Sequence, residues 1–208
     1  MPQHLTENLT YPLEQLQQFR QEVHACFVYR ADALMNLVDT LCGNTDATSI
    51  AELSLSPLFR YQYSSIYHSI DNLYRTVPSD GPLARQQWEP KLAGLIIHRL
   101  PFPRARPYRL IGIDATSVRR QYAQTLADRS MVYAPNSIAG NKPITIGHRY
   151  VTISDLPEKV SQTSPPWAVP LSVRRVSSDT KETTVGVEQI QMLFEAENMG
   201  FKDPLCVQ

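Results

Sequence analysis

The sequence predicts a mixed fold, α+β grading to α/β. A helical N-terminal domain precedes a three-stranded antiparallel sheet, a helix and the start of a fourth strand. Three observations carry this expectation. Apolar residues recur at three- and four-residue steps through the first hundred positions, the period of amphipathic helices. The cluster Pro101-Phe-Pro-Arg-Ala-Arg-Pro107 then ends that regime, because proline lacks the amide proton that helices and sheets use. Beyond it the apolar residues fall into short runs and alternations, the pattern of strands. The expected organisation is a helical region over 1–100, a stiff linker over 101–107 and a sheet-bearing region over 108–208. A chain of 208 residues that is 42% hydrophobic is long enough and apolar enough to build a real core.

The elements follow in order. Leu13, Leu16, Phe19, Val23 and Phe27 form one apolar helix face. Leu34, Leu37, Val38 and Leu41 continue the pattern in a second helix, which Gly43 is placed to stop. Ser49-Ile-Ala-Glu52 has the spacing of a capping box and opens a short third helix, ended by Pro57. Ser64–Tyr74 forms a fourth, with Ile66, Ile70 and Leu73 inward. After the turn Pro78-Ser-Asp-Gly-Pro82, Leu83–Leu100 reads as a fifth. Leu110–Val118 is the first strand, and 119–141 is a long basic excursion with turn formers at Pro135, Asn136, Gly140 and Asn141. Pro143–Ile153 alternates as a second strand. Trp167–Val176, after the breaker Ser164-Pro-Pro166, is a third. Thr184–Met199 is an amphipathic helix with Val187, Ile190, Leu193, Phe194 and Ala196 as its expected buried side, stopped at Gly200. Asp203–Gln208 begins another apolar run.

Totals exclude several classes. Formal net charge is zero, yet Arg99–Arg149 holds nine basic residues against Asp114 and Asp128 alone. Such a local field attracts a polyanion, and the competing reading is a solvated basic surface. Arg119, Arg120, Arg129, Lys142 and Arg149 are the candidate phosphate contacts. The helices at 49–56 and 64–74 have roughly helix-turn-helix proportions. On the outer side of the second, Ser64, Ser65, Tyr67, His68, Asn72 and Arg75 are able to bond phosphates or base edges. Cys26, Cys42 and Cys206 are an odd set without a Cys-x-x-Cys pair, which argues against a disulfide framework and a zinc site. The N-terminus lacks signal-peptide order, and no apolar run approaches the ~20 residues of a membrane span. A soluble, cytoplasmic protein is expected, without membrane contact.

Leu110–Ile113 is an apolar run ending in one carboxylate, Asp114. Burying a carboxylate is costly unless it is paired or holds a metal, so Asp114 is expected to have a partner. Thr116 and Ser117 are placed to orient it or to act as strand formers. His148, mid-strand among apolar residues, reads as packed rather than ligating. Trp88 and Trp167 read as core anchors.

The order of elements, with a carboxylate on the first strand, is that of an RNase H-like nuclease core. Gly112-Ile-Asp-Ala-Thr116, Gly140-Asn-Lys-Pro143, Ile146-Gly-His-Arg-Tyr150 and Trp167-Ala-Val-Pro-Leu171 resemble bacterial insertion-sequence transposases of the DDE type, across nearly the whole chain. The resemblance implies binding of transposon-end DNA and metal-dependent strand cleavage and transfer. Two Mg²⁺ ions, held by two Asp and one Glu, would serve that chemistry. Asp114 matches the first Asp and is the implied catalytic and metal residue. The second Asp belongs at the end of the fourth strand and the Glu on a later helix. The chain ends where that strand begins, so a truncated, catalytically incomplete transposase is expected. An open-edged partial sheet is prone to self-association, which makes a homodimer a candidate assembly.

Two other classes compete. One is a non-catalytic DNA-binding or interaction protein derived from a transposase. The other is an ATPase of the actin and sugar-kinase type. Its phosphate loop needs a glycine after the Asp, where this chain has Ala115 and Thr116, and no G-x-x-x-x-G-K-[ST] motif is present.

Overall fold

The computed structural model describes residues 3–74, 88–123, 125, 127–134, 140, 142–159, 161, 163, 166–198 and 205–207. Arg75, the turn at 78–82, residues 83–87, Pro135, Asn136, Asn141, Ser164, Pro165 and Gly200 lie outside them. The chain divides into two units, Met1–Leu95 and Ile96–Gln208.

The first unit is helical. Helices α1 (Gln3–Ala25), α2 (Ala31–Cys42), α3 (Ile50–Leu53) and α4 (Tyr63–Tyr74) are followed by α5 (Trp88–Arg99), within which the division falls. One apolar cluster joins Val23, Phe27, Leu34 and Met35, with Leu73, Leu92 and Leu95 packed against it. A second joins Leu37, Leu53, Phe59 and Ile66. The expected stripe on α1 is buried only at its C-terminal end: Leu13 and Leu16 are exposed, as is Leu41 on α2. Packing against α2 begins late along α1, and periodicity alone cannot show where a neighbour starts. At α3 the Ser49 hydroxyl accepts from the Glu52 amide at 3.2 Å. The Glu52 carboxylate reaches one residue further back than a standard capping box, accepting from the Thr48 amide at 2.6 Å. Helix α3 is a single turn, and nine residues separate it from α4.

The second unit is built on a five-stranded sheet. Strands β1 (Arg109–Arg119), β2 (Ser130–Tyr133), β3 (Ile144–Asp155), β4 (Val169–Val176) and β5 (Leu205–Val207) run in the order β2-β3-β1-β5, with β4 also paired to β3. β1 pairs antiparallel with β3, placing Asp114 opposite Thr152, and parallel with β5 over Arg109–Ile111. β2 corrects the sequence reading. It lies inside the segment expected to be an excursion and pairs antiparallel with Ile144–Gly147. Four residues, Ser-Met-Val-Tyr, are too short a run to announce a strand without a partner.

Helix α6 (Glu182–Asn198) packs on the sheet face carrying Ile113 and Val151; a Cβ placed on Gly186 would lie 3.7 and 3.8 Å from those side chains. The buried side of α6 is Val185, Gly186, Gln189, Met192 and Leu193. Val187 and Phe194, expected inward, are exposed, Ile190 is half-buried and Leu193 is fully buried. Gln189 explains the difference. Its amide donates to the Val151 carbonyl at 3.2 Å and the Ser172 hydroxyl at 2.6 Å. A glutamine so bonded can occupy the centre of an apolar face, and the helix turns to let it. Trp167, expected in the core, is 42% exposed, and Trp88 is half-buried.

The proline linker is strapped to the sheet. Glu158 accepts from the amides of Arg104 at 2.7 Å and Ala105 at 3.0 Å, and Arg106 donates to the Leu156 carbonyl. Arg109 reaches back to the Leu100 carbonyl at 3.0 Å, with its guanidinium 5.6 Å from the centre of the Phe102 ring.

Candidate functional site

Alternation along β1 sends Asp114 to the sheet face opposite α6, since Ile111 and Ile113 occupy the other. The Asp114 side chain is exposed rather than buried, and the Thr116 hydroxyl donates to its Oδ2 at 2.8 Å. This corrects the expectation of a desolvated carboxylate in search of a counter-ion. Two residues apart on a strand share a face, so Thr116 orients Asp114 as its spacing allows, whereas Ser117 points the other way.

The buried carboxylate is Asp155, only 2% exposed, at the far end of β3 and on the α6 face. Arg109, equally buried, lies 3.8 Å away. Burial pushes the Asp155 carboxyl above its usual range, and Arg109 and Arg106 pull it back only in part. Sequence reading missed this pair because its members are far apart in the chain and each sits at a strand end.

The basic span resolves into three groups. Arg106, Arg109 and Arg149 face Glu158, Asp155 and Glu182 respectively. Arg149 also donates toward the Thr180 carbonyl and is half-buried on the α6 side. Those carboxylates all lie outside residues 99–149, so a window along the chain overstated the local field. Arg129 and Lys142 are exposed. Arg119 and Arg120 are exposed at the end of β1 and, among the described residues, have no side-chain partner. They line an open depression with Gln121, Tyr122 and Ala123.

On α4, Ser64 and His68 are exposed and Ser65 is half-buried, its carbonyl accepting from Ser69. His148 is buried, its Nε2 3.2 Å from the Ala127 carbonyl, as a packed histidine would be. Arg174 lies 3.9 Å from Glu188, and Arg175 donates to Asp128 at 2.5 Å. Asp128 also accepts from the Ser178 amide at 2.7 Å, and that bond, with Arg175, holds its carboxyl below the usual range.

Among the described residues, no three His, Cys, Asp or Glu side chains gather as a metal site. A divalent ion of the magnesium type takes about six oxygen ligands. Asp114 and Thr116 by themselves do not fit a magnesium pair. They offer one oriented carboxylate on an open face. No helix among the described residues is long and apolar enough to cross a membrane.

Comparison with known proteins adds one match. A family model described as DDE superfamily endonuclease aligns with residues 22–199. No curated protein and no solved structure matches the chain.

Proposed function

Because the chain belongs to the DDE superfamily endonucleases, matched over residues 22–199, we propose that it is a transposase chain that recognises transposon-end DNA and presents Asp114 as the first metal-facing carboxylate. Endonucleases of this superfamily generally use divalent metals and act on DNA. The observation that carries the finer reading is the placement of Asp114: exposed at mid-sheet, bonded by Thr116, on the face α6 leaves uncovered. Asp155, by contrast, is sealed beside Arg109.

In this reading the sheet unit holds the DNA backbone through Arg119 and Arg120, with Arg129 and Lys142 as further exposed cations. Arg149 stays with Glu182. The helical unit reads the end sequence through α4, where Ser64 and His68 face outward. A second copy of the chain joins it on the two transposon ends. These assignments rest on exposure, charge and family membership.

Fluorescence anisotropy tests this reading. The ligands are a duplex copied from the DNA flanking the gene and a shuffled duplex of equal composition, both near physiological salt. The flanking duplex is expected to bind at least ~10³-fold tighter, the lower end for specific recognition. Equal affinities would sink the proposal.

A further inference from the structure

Tyr122 is 89% exposed, more than any other large hydrophobic side chain described. Its backbone is nonetheless held. The β1–β3 ladder runs to Arg119 opposite Gly147, the Arg120 amide then donates to the Ile146 carbonyl at 2.9 Å, and the Ala123 amide donates to the Arg120 carbonyl at 2.9 Å. The last bond closes a four-residue turn with Gln121 and Tyr122 at its tip. The sheet therefore holds an aromatic ring out in water, in an open depression that it lines with Arg119 and Arg120, whose side chains have no partner among the described residues.

A ring beside free cations is the composition of a platform for an unstacked base: the face stacks and the cations take the flanking phosphates. A fully paired duplex offers phosphates to Arg119 and Arg120 but no base face to Tyr122. At ~3.3 Å per residue, Arg119 lies roughly 17 Å along β1 from Asp114 with its side chain on the opposite face, and Arg120, one position further on, returns to the Asp114 side. That is about five base steps of a B-form strand. A strand crossing Asp114 would thus reach the turn a few nucleotides away.

We propose that the Arg119–Tyr122 turn binds an unpaired nucleotide, with Tyr122 stacking on its base and Arg119 and Arg120 holding the adjacent phosphates. The inference rests on the reading that the chain works on DNA and adds a preference for single-stranded or distorted substrate, independent of sequence.

The test uses the full chain and DNA of arbitrary sequence, as a paired duplex and as the same duplex with a short unpaired flap. Wild type is expected to prefer the flap substrate by about tenfold. Tyr122→Phe keeps that preference and Tyr122→Ala abolishes it while leaving paired-duplex affinity and thermal melting unchanged. Arg119→Ala and Arg120→Ala weaken both substrates, and each shallows the salt slope by about one. A flap preference that survives Tyr122→Ala overturns the proposal. So does its absence in wild type, or a Tyr122→Ala variant whose only change is a smaller sedimentation coefficient, which would make the turn a contact between copies. Arbitrary sequence separates this result from end recognition, since the flap preference stands or falls without any end sequence present.

Discussion

Two aspartates on adjacent strands invert what their sequence contexts suggest. Asp114 ends an apolar run yet stands in water, while Asp155 ends a mixed run yet is sealed beside Arg109. Their substitutions should therefore differ. Asp155→Ala removes the counter-charge of a buried guanidinium and is expected to cost about 3–5 kcal/mol in a denaturant titration. Asp114→Ala removes an exposed group and is expected to stay within about 0.5 kcal/mol of wild type. Comparable losses at both sites would show that the pair, or the exposure, is misassigned. Gly147 is a third residue where geometry decides. A Cβ there would meet the Val118 carbonyl oxygen at 2.4 Å and Val132 at 2.8 Å, in the place where β1, β2 and β3 meet. Backbone cannot give way as a flexible side chain can, so Gly147→Ala is expected to destabilise by at least the ~1–3 kcal/mol typical of overpacking.

Among the elements, α6 and the linker carry opposite lessons. The period of α6 was legible in its sequence, but its buried side was not. Gln189, outside the apolar set expected inward, finds two partners on β3 and β4 and is fully buried. Gly186 on the same side meets its neighbours at ordinary contact distance. Gly186→Ala should then raise stability by about 0.5–1 kcal/mol through helix propensity, visible as a higher melting temperature. An unchanged or lower value would mean that α6 sits closer to the sheet. The linker was legible as stiff, and its fastening to Glu158 was not. The two amides that bond Glu158 hold its carboxyl below the ordinary range. A depressed carboxylate stabilises the fold above its unfolded pKa, about 4.3, and loses that contribution as pH falls through its folded value. Asp155, shifted upward, acts in the opposite sense: its burial costs stability as pH rises through its titration. Glu158→Gln is expected to flatten the decline in melting temperature between about pH 5 and pH 3. Parallel curves for variant and wild type would remove Glu158 from the acid response.

For the whole molecule, the balance of charge matters more than its count. The basic span looks like one polyanion-binding surface in the sequence, yet folding commits Arg106, Arg109 and Arg149 to carboxylates from beyond it. Arg149→Gln is expected to lower stability by about 1 kcal/mol, as for a partly exposed ion pair, and to leave DNA affinity unchanged. Arg119→Gln is expected to do the reverse. Anisotropy and thermal melting on the same two variants check both halves, and equal effects on DNA affinity would restore the single-surface view.

What the chain's own order of residues determined is the mixed fold, most of the helices, the three long strands and the position of Asp114 on the first of them, with Thr116 and Ser117 both offered as neighbours able to orient it. All of these depend on local period and on spacing within one element, which a linear string preserves. Only the tertiary structure decided which face of α6 is buried, that a short strand pairs within the basic segment, which aspartate is sealed and which arginines stay free. Each of those depends on a partner far away in the chain. A side chain's desolvation and its counter-charge are set by what folding brings beside it, and no local pattern encodes that neighbour.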